Sequence, residues 1–132
     1  MEQFKSLQNQ LNNFEQNFKI NDINNQKELE LKNGRYVGQV VNGLREGKGI
    51  YYFNNGNRYE GEWRNDKREG KGIYYYKSGN RYEGDYRNDK MEGKGIFYFN
   101  NGDRMMGDYL NDKPIGKHVV LTKNGEVKTS YY

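Results

Sequence analysis

The stretch Tyr59–Arg81, YEGEWRNDKREGKGIYYYKSGNR, decides the fold, because the chain repeats it. At a period of 23 the preceding residues read YVGQVVNGLREGKGIYYFNNGNR (36–58) and the following ones YEGDYRNDKMEGKGIFYFNNGDR (82–104). A divergent copy, MMGDYLNDKPIGKHVVLTKNGEV (105–127), completes the run without a gap. Such self-similarity marks an array of supersecondary units. Within 59–81 two strand-like runs, Tyr59–Arg64 and Gly72–Tyr76, flank a polar loop, Asn65–Gly70. The turn Lys77-Ser78-Gly79-Asn80 follows, where Gly79 can take a positive φ. Connections this short cannot carry a parallel crossover, so the strands are expected to form an antiparallel meander.

Alternation along each strand sorts side chains by face. Tyr59, Gly61 and Trp63 share one face, as do Gly72, Tyr74 and Tyr76 on the next strand. The same sets recur as Tyr36/Gly38/Val40, Tyr82/Gly84/Tyr86, Gly49/Tyr51/Phe53 and Gly95/Phe97/Phe99. Placing both sets on one side seats rings beside glycines, where the missing side chain leaves room. That side is expected to be concave. The other side pairs Glu60 and Glu83 with Arg58, Arg81 and Arg104, and adds the second-strand Ile and Tyr residues.

Composition agrees with a thin sheet. Of 132 residues only 33% are hydrophobic, yet 15% are aromatic and 13 are Tyr. The mean hydropathy of −1.30 leaves no material for a thick core. There is no Cys, which removes disulfides and thiolate metal sites. No apolar run approaches the ~18 residues that cross a bilayer. The opening MEQFKSLQNQ lacks the basic-then-apolar order of a secretory signal. A cytoplasmic setting is the expectation. The net charge of +4 is divided unevenly, with −2 over residues 1–31 and 19 basic against 13 acidic residues thereafter. Because the signs interleave along the array, a solvated face is favoured over a nucleic-acid footprint.

The consensus YEGxWxNxKxEGKGxYYYxxGxR resembles the MORN (membrane occupation and recognition nexus) repeat over 36–127. Its defining positions fall on Tyr59 and Gly61, Gly70 and Gly72, and Gly79, with equivalents at steps of 23. The fourth copy departs, with Met105 for the opening Tyr and His118 for the second Gly of the pair. The resemblance implies an all-β, single-layer antiparallel β-hairpin repeat solenoid that serves as a protein-binding scaffold. It also implies cytoskeletal or ciliary assemblies as a setting and anionic membrane as another possible partner.

The flanks complete the organisation. Phe4, Leu7, Leu11, Phe14 and Phe18 are spaced 3, 4, 3, 4, a heptad seam predicting an amphipathic α-helix over 1–20. Residues 21–26 read as a linker, and 29–35 as a half-hairpin opening an array over 27–127. The divergent unit 105–127 is expected to cap the array, and 128–132 to be a tail in which Tyr131 and Tyr132 have no assigned role. The helix has three expected uses: a cap on the first edge, a plug in the aromatic groove, or a seam for self-association.

Catalysis is not expected. His118, the one His, has no second ligand or nucleophile at an informative spacing, and the Glu-Gly-Lys-Gly steps lack the spacing and Ser/Thr of a phosphate loop. No metal or cofactor is called for. The candidate site is a groove of rings for a helical or extended partner segment: Tyr36, Tyr51, Phe53, Tyr59, Trp63, Tyr74, Tyr76, Tyr82, Tyr86, Phe97 and Phe99. The competing use is a membrane adaptor binding anionic phospholipid through the basic side of the array.

Overall fold

In the computed structural model, residues 2–19 and 26–132 are described, with side chains described for 2–15 and 26–132. Helix α1 (Glu2–Lys19) precedes ten strands: β1 (Gln26–Leu31), β2 (Gly34–Val41), β3 (Leu44–Phe53), β4 (Arg58–Arg64) and β5 (Lys67–Tyr75) are the first five. They are followed by β6 (Arg81–Arg87), β7 (Lys90–Tyr98), β8 (Arg104–Leu110), β9 (Lys113–Leu121) and β10 (Val127–Tyr131). All ten form one sheet in sequence order, each strand antiparallel to the next. Of the linker expected over 21–26, residues 21–25 lie outside the described residues, as does the side chain of Phe18, and Gln26 belongs to β1 rather than to a linker.

Two kinds of turn alternate along the ribbon. The first is shorter than the sequence suggested. Asn65 and Asp66 alone make it, at φ of 48° and 71°, and the pairs Asn88-Asp89 and Asn111-Asp112 repeat this geometry. Positive φ at both central residues matches the right-handed twist of the flanking strands. The expected loop Asn65–Gly70 is therefore corrected: Lys67–Gly70 belongs to β5. Gly70, at φ 80°, lies in an irregularity of that strand. Between the pairs Gly61↔Gly72 and Trp63↔Arg68, β4 advances two residues while β5 advances four. The same step recurs at Gly38/Val40 and Gly84/Tyr86, and such bulges bend and twist a sheet. The second kind of turn is as expected. Gly79, at φ 97°, donates its N–H to the Tyr76 carbonyl at 2.9 Å.

The array also extends further than its repeats suggested. Residues 127–131 are a strand, not a tail, paired to β9 from Val127↔Leu121 to Tyr131↔Lys117. The first hairpin begins at Gln26 and turns through Lys32 and Asn33 alone.

Candidate functional site

The glycine pattern puts one ring over two glycines in each regular unit. A Cβ on Gly84 would stand 2.6 Å from the Tyr82 hydroxyl and 2.7 Å from the Gly95 Cα. Tyr36 covers Gly38 and Gly49, and Tyr59 covers Gly61 and Gly72, in the same way. Each of these tyrosines donates its hydroxyl to the carbonyl three residues on: Tyr36 to Gln39 at 2.7 Å, Tyr59 to Glu62 at 2.9 Å, Tyr82 to Asp85 at 3.1 Å. All three are fully buried. Burial pushes the Tyr59, Tyr82 and Tyr86 hydroxyls far above the ordinary tyrosine value of 10.0, since a phenolate there would be stripped of water.

These rings form a continuous edge-to-face zigzag. Tyr36 meets Trp63 at 5.4 Å, Trp63 meets Tyr59 at 5.2 Å, and Tyr59 meets Tyr86 at 5.1 Å. Tyr86 then meets Tyr82 at 5.6 Å, and Tyr82 meets Tyr109 at 5.0 Å. Such pairs each add about 0.5–1.5 kcal/mol beyond area burial.

The fourth unit continues the zigzag by a swap. Met105 stands where the covering tyrosine would be, and the imidazole of His118 takes its place. A Cβ on Gly107 would meet that imidazole at 2.5 Å. His118 Nε2 lies 2.9 Å from the Asp108 carbonyl, the position equivalent to the acceptors above, and so carries the donated proton. Tyr109 meets His118 at 5.3 Å, and His118 meets Tyr132 at 5.1 Å. Tyr132 lies 23 residues beyond Tyr109, so one of the two tyrosines without an assigned role is the next ring of the series.

The eleven candidate groove residues thus share one face but divide into two sets. Tyr36, Tyr51, Tyr59, Trp63, Tyr82 and Tyr86 are buried, whereas Phe53, Tyr74, Tyr76, Phe97 and Phe99 are half-exposed. The latter make a second ladder: Phe53 to Tyr74 at 5.7 Å, Tyr74 to Tyr76 at 4.8 Å, Tyr76 to Phe97 at 5.8 Å, Phe97 to Phe99 at 4.9 Å. Of the eleven, only these five offer ring surface to a ligand. Trp63 and Tyr86, which look like central anchors in the sequence, are 5% and 3% exposed and belong to the packing. Removing them would unseat the sheet before it reported on binding.

Two guanidinium groups edge the stripe. Arg45 lies 4.6 Å from the Trp63 ring and pairs with Asp66 at 2.7 Å; Arg68 lies 5.1 Å from the Tyr86 ring and pairs with Asp89 at 2.7 Å. The Arg45 hydrogen bond holds the Asp66 carboxyl below the usual range. Burial opposes the charge of Asp89, but the Arg68 hydrogen bonds overcome it and its carboxyl is lowered too. Both carboxyls beside the stripe are therefore ionised throughout the neutral range.

The opposite face carries α1. Phe4, Leu7 and Leu11 are buried there with Ile96, against Tyr98 and Met106, while Phe14 is half-buried. Gln8 bonds to the Tyr98 hydroxyl and approaches Arg104 at 3.4 Å. The field of Glu15 reaches Tyr75 and Glu83, so the helix runs back across the strands from β9 towards β5. This corrects the expected uses of the helix. It neither caps the first edge nor plugs the aromatic groove, and in this conformation Phe4, Leu7 and Leu11 are spent on the chain's own sheet. The fourth unit departs from the repeat here, and one departure, Met106, lies against the helix. Met106 replaces the acid found at Glu60 and Glu83, and Leu121 replaces the ring found at Tyr75 and Tyr98. Arg58 and Arg81 lie 4.0 Å from Tyr75 and Tyr98, whereas Arg104 lies 5.4 Å from the Phe4 ring of the helix. Under the helix Glu83 is fully buried, 2.7 Å from Arg81 Nε in an ion contact without hydrogen-bond alignment. Burial raises its carboxyl above the ordinary range.

Among the described residues no group of three or more His, Cys, Asp or Glu could hold a metal ion, and no helix is long and apolar enough to cross a membrane. A comparison with curated proteins finds no match. The family model for the MORN repeat matches residues 36–58, 59–81 and 82–104, more than half of the chain. Its boundaries coincide with the units in which one tyrosine covers two glycines, and on that match the chain belongs to the MORN repeat family.

Proposed function

We propose that the chain is a non-enzymatic interaction scaffold that takes a helical or extended protein segment along the half-exposed stripe Phe53–Tyr74–Tyr76–Phe97–Phe99. MORN repeats are associated in general with protein or membrane-lipid interaction. One observation carries the finer reading: on the face where the repeat's tyrosines and Trp63 are buried, five further rings stay half-exposed and touch one another in an unbroken ladder across three units. Exposed, contiguous aromatic surface is where partner segments anchor. A cytoskeletal or ciliary setting is part of the proposal and comes from the family alone.

The test is a Tyr76→Ala/Phe97→Ala variant assayed for partner binding by calorimetry, with its melting temperature measured alongside. Binding should weaken by about 2 kcal/mol or more, as for central aromatic anchors, with the fold retained. Unchanged affinity in a folded variant would remove the stripe as the site. A second reading, binding of anionic phospholipid, has its own support at the turn edge of the ribbon. There Asp66 and Asp89 turn inward to Arg45 and Arg68, while Arg64, Lys67, Arg87 and Lys90 stay exposed. Co-sedimentation with phosphatidylserine vesicles at physiological salt decides for it, and an unbound chain decides against it.

A further inference from the structure

We propose that the stripe is electrically polarised and that its β3–β5 end anchors acidic side chains of the bound segment; this rests on the stripe being the binding surface. The tenth position of the four units holds Arg45, Arg68, Met91 and Pro114. Guanidinium groups therefore edge the first two units, and uncharged side chains the last two.

Each guanidinium is fixed but not exhausted. Arg45 uses Nε on the Asp66 carboxylate at 2.7 Å and one terminal nitrogen on the Asp66 carbonyl at 2.9 Å. Arg68 repeats this on Asp89 at 2.7 and 2.6 Å. The remaining nitrogen, Nη1, has no hydrogen-bond acceptor among the described residues in either case. The two side chains are 18% and 20% exposed, enough to meet a ligand and too little to be well hydrated. With Lys32 they border a cleft floored by Tyr51, Phe53 and Trp63. Asp89, the carboxylate on its wall, is already engaged by Arg68. Both arginine–aspartate pairs are neutral as pairs, so Lys32 leaves the cleft with a positive balance.

The far end lacks such guanidinium groups. Asp112 accepts the Met91 N–H at 2.9 Å, and no guanidinium is there to neutralise it because residue 91 is Met. Its field reaches the Tyr76 and Tyr86 hydroxyls. An anionic bilayer would set negative charge against Asp112 as well as against Arg45. A polypeptide can confine its carboxylates to one end. The occupant that fits is thus a segment with an apolar seam and acidic residues clustered over the first two units. Arg45 and Arg68 are one repeat apart, about 9.6 Å at ~4.8 Å per strand. Two acids one heptad apart on a helix, about 10.5 Å, would reach both.

The probes are two synthetic three-heptad peptides with the same Leu/Phe seam, one carrying a Glu pair seven residues apart near one end, the other Gln at those positions. Fluorescence anisotropy on the full chain should show the Glu peptide binding about tenfold tighter at low salt, with the gap shrinking as salt rises. In an Arg45→Met/Arg68→Met variant, which copies the residue at Met91 and leaves Asp66 and Asp89 without their guanidinium partners, the preference for the Glu peptide should be lost or reversed, and a preference unchanged in the folded variant overturns the anchor. Equal affinity of the two peptides for the unaltered chain overturns the anchor and leaves the stripe standing. Binding of neither overturns the stripe itself and the anchor with it. Should the double variant fail to fold, the peptide pair and its salt dependence on the unaltered chain still decide.

Discussion

The two faces of this sheet are closed by different means. On the ring face, closure is built into the repeat: a tyrosine lies over two glycines and leans edge-on against rings on either side. On the helix face, closure is partly imported, since α1 supplies Phe4, Leu7 and Leu11 to an Ile, Tyr and Met surface. A single layer ordinarily lacks a second layer to cover its apolar side. Here one face covers itself because its apolar groups are wide, flat and tipped with a hydroxyl that finds a carbonyl. The other face, with narrow side chains such as Ile73 and Ile96, draws on an added element around Ile96, Tyr98 and Met106.

Substitutions on the two faces should therefore fail differently. Gly84→Val is expected to cost the most, about 3 kcal/mol or more, because its Cβ would collide with the Tyr82 hydroxyl and the Gly95 backbone. The whole sheet should unfold at lower urea in one transition. A midpoint unchanged within error would show that these glycines do not hold the rings. Leu11→Ala, on the other face, is expected to cost about 2–3 kcal/mol, at the low end for a buried Leu. The loss should fall on α1: helical circular dichroism should melt ahead of the tyrosine signal. Loss of both signals together would mean that the ring face depends on the helix and would erase the contrast.

A third effect, above pH 10, reads the burial of the ring-face hydroxyls. Burial raises the Tyr59, Tyr82 and Tyr86 hydroxyls above 10.0, so above that pH the folded chain holds protons that the unfolded chain has released. Stability is then fully present below pH 10 and falls as pH rises beyond it. Urea midpoints at pH 9 and pH 11 should differ in that sense, and Tyr82→Phe should lessen the difference. A midpoint flat across that range would contradict the burial of the hydroxyls.

The ring face was legible from the sequence because Tyr and Gly repeat with the pleat, and alternation alone separates the faces. What stayed hidden has physical causes. The Asn65-Asp66 turn read as part of a longer loop because neither residue is Gly, although both accept positive φ at modest cost. The heptad of α1 was visible, but an apolar seam fits either face equally well. Met106, which helps to choose, looked like decay of the repeat. His118 hid for a related reason, since its role follows only once the tyrosine is known to cover two glycines. For the candidate groove, face was readable but depth was not: Trp63 and Tyr76 obey the same alternation, yet one is buried by its neighbours and the other is half-exposed.

The helix lying across the strands has the geometry of a vernier. One heptad carries it about 10.5 Å, while one repeat beneath it advances about 9.6 Å. From Phe4 to Leu11 the two scales stay close, and over that heptad the seam packs on a surface that includes Ile96 and Met106. The mismatch of about 0.9 Å accumulates with each further unit and nears two helical residue rises, ~3 Å, after three. A straight helix can thus follow about three repeats before its apolar residues fall between the rows below. Lengthening such an array demands a bend in the helix, a break, or a helix that stops.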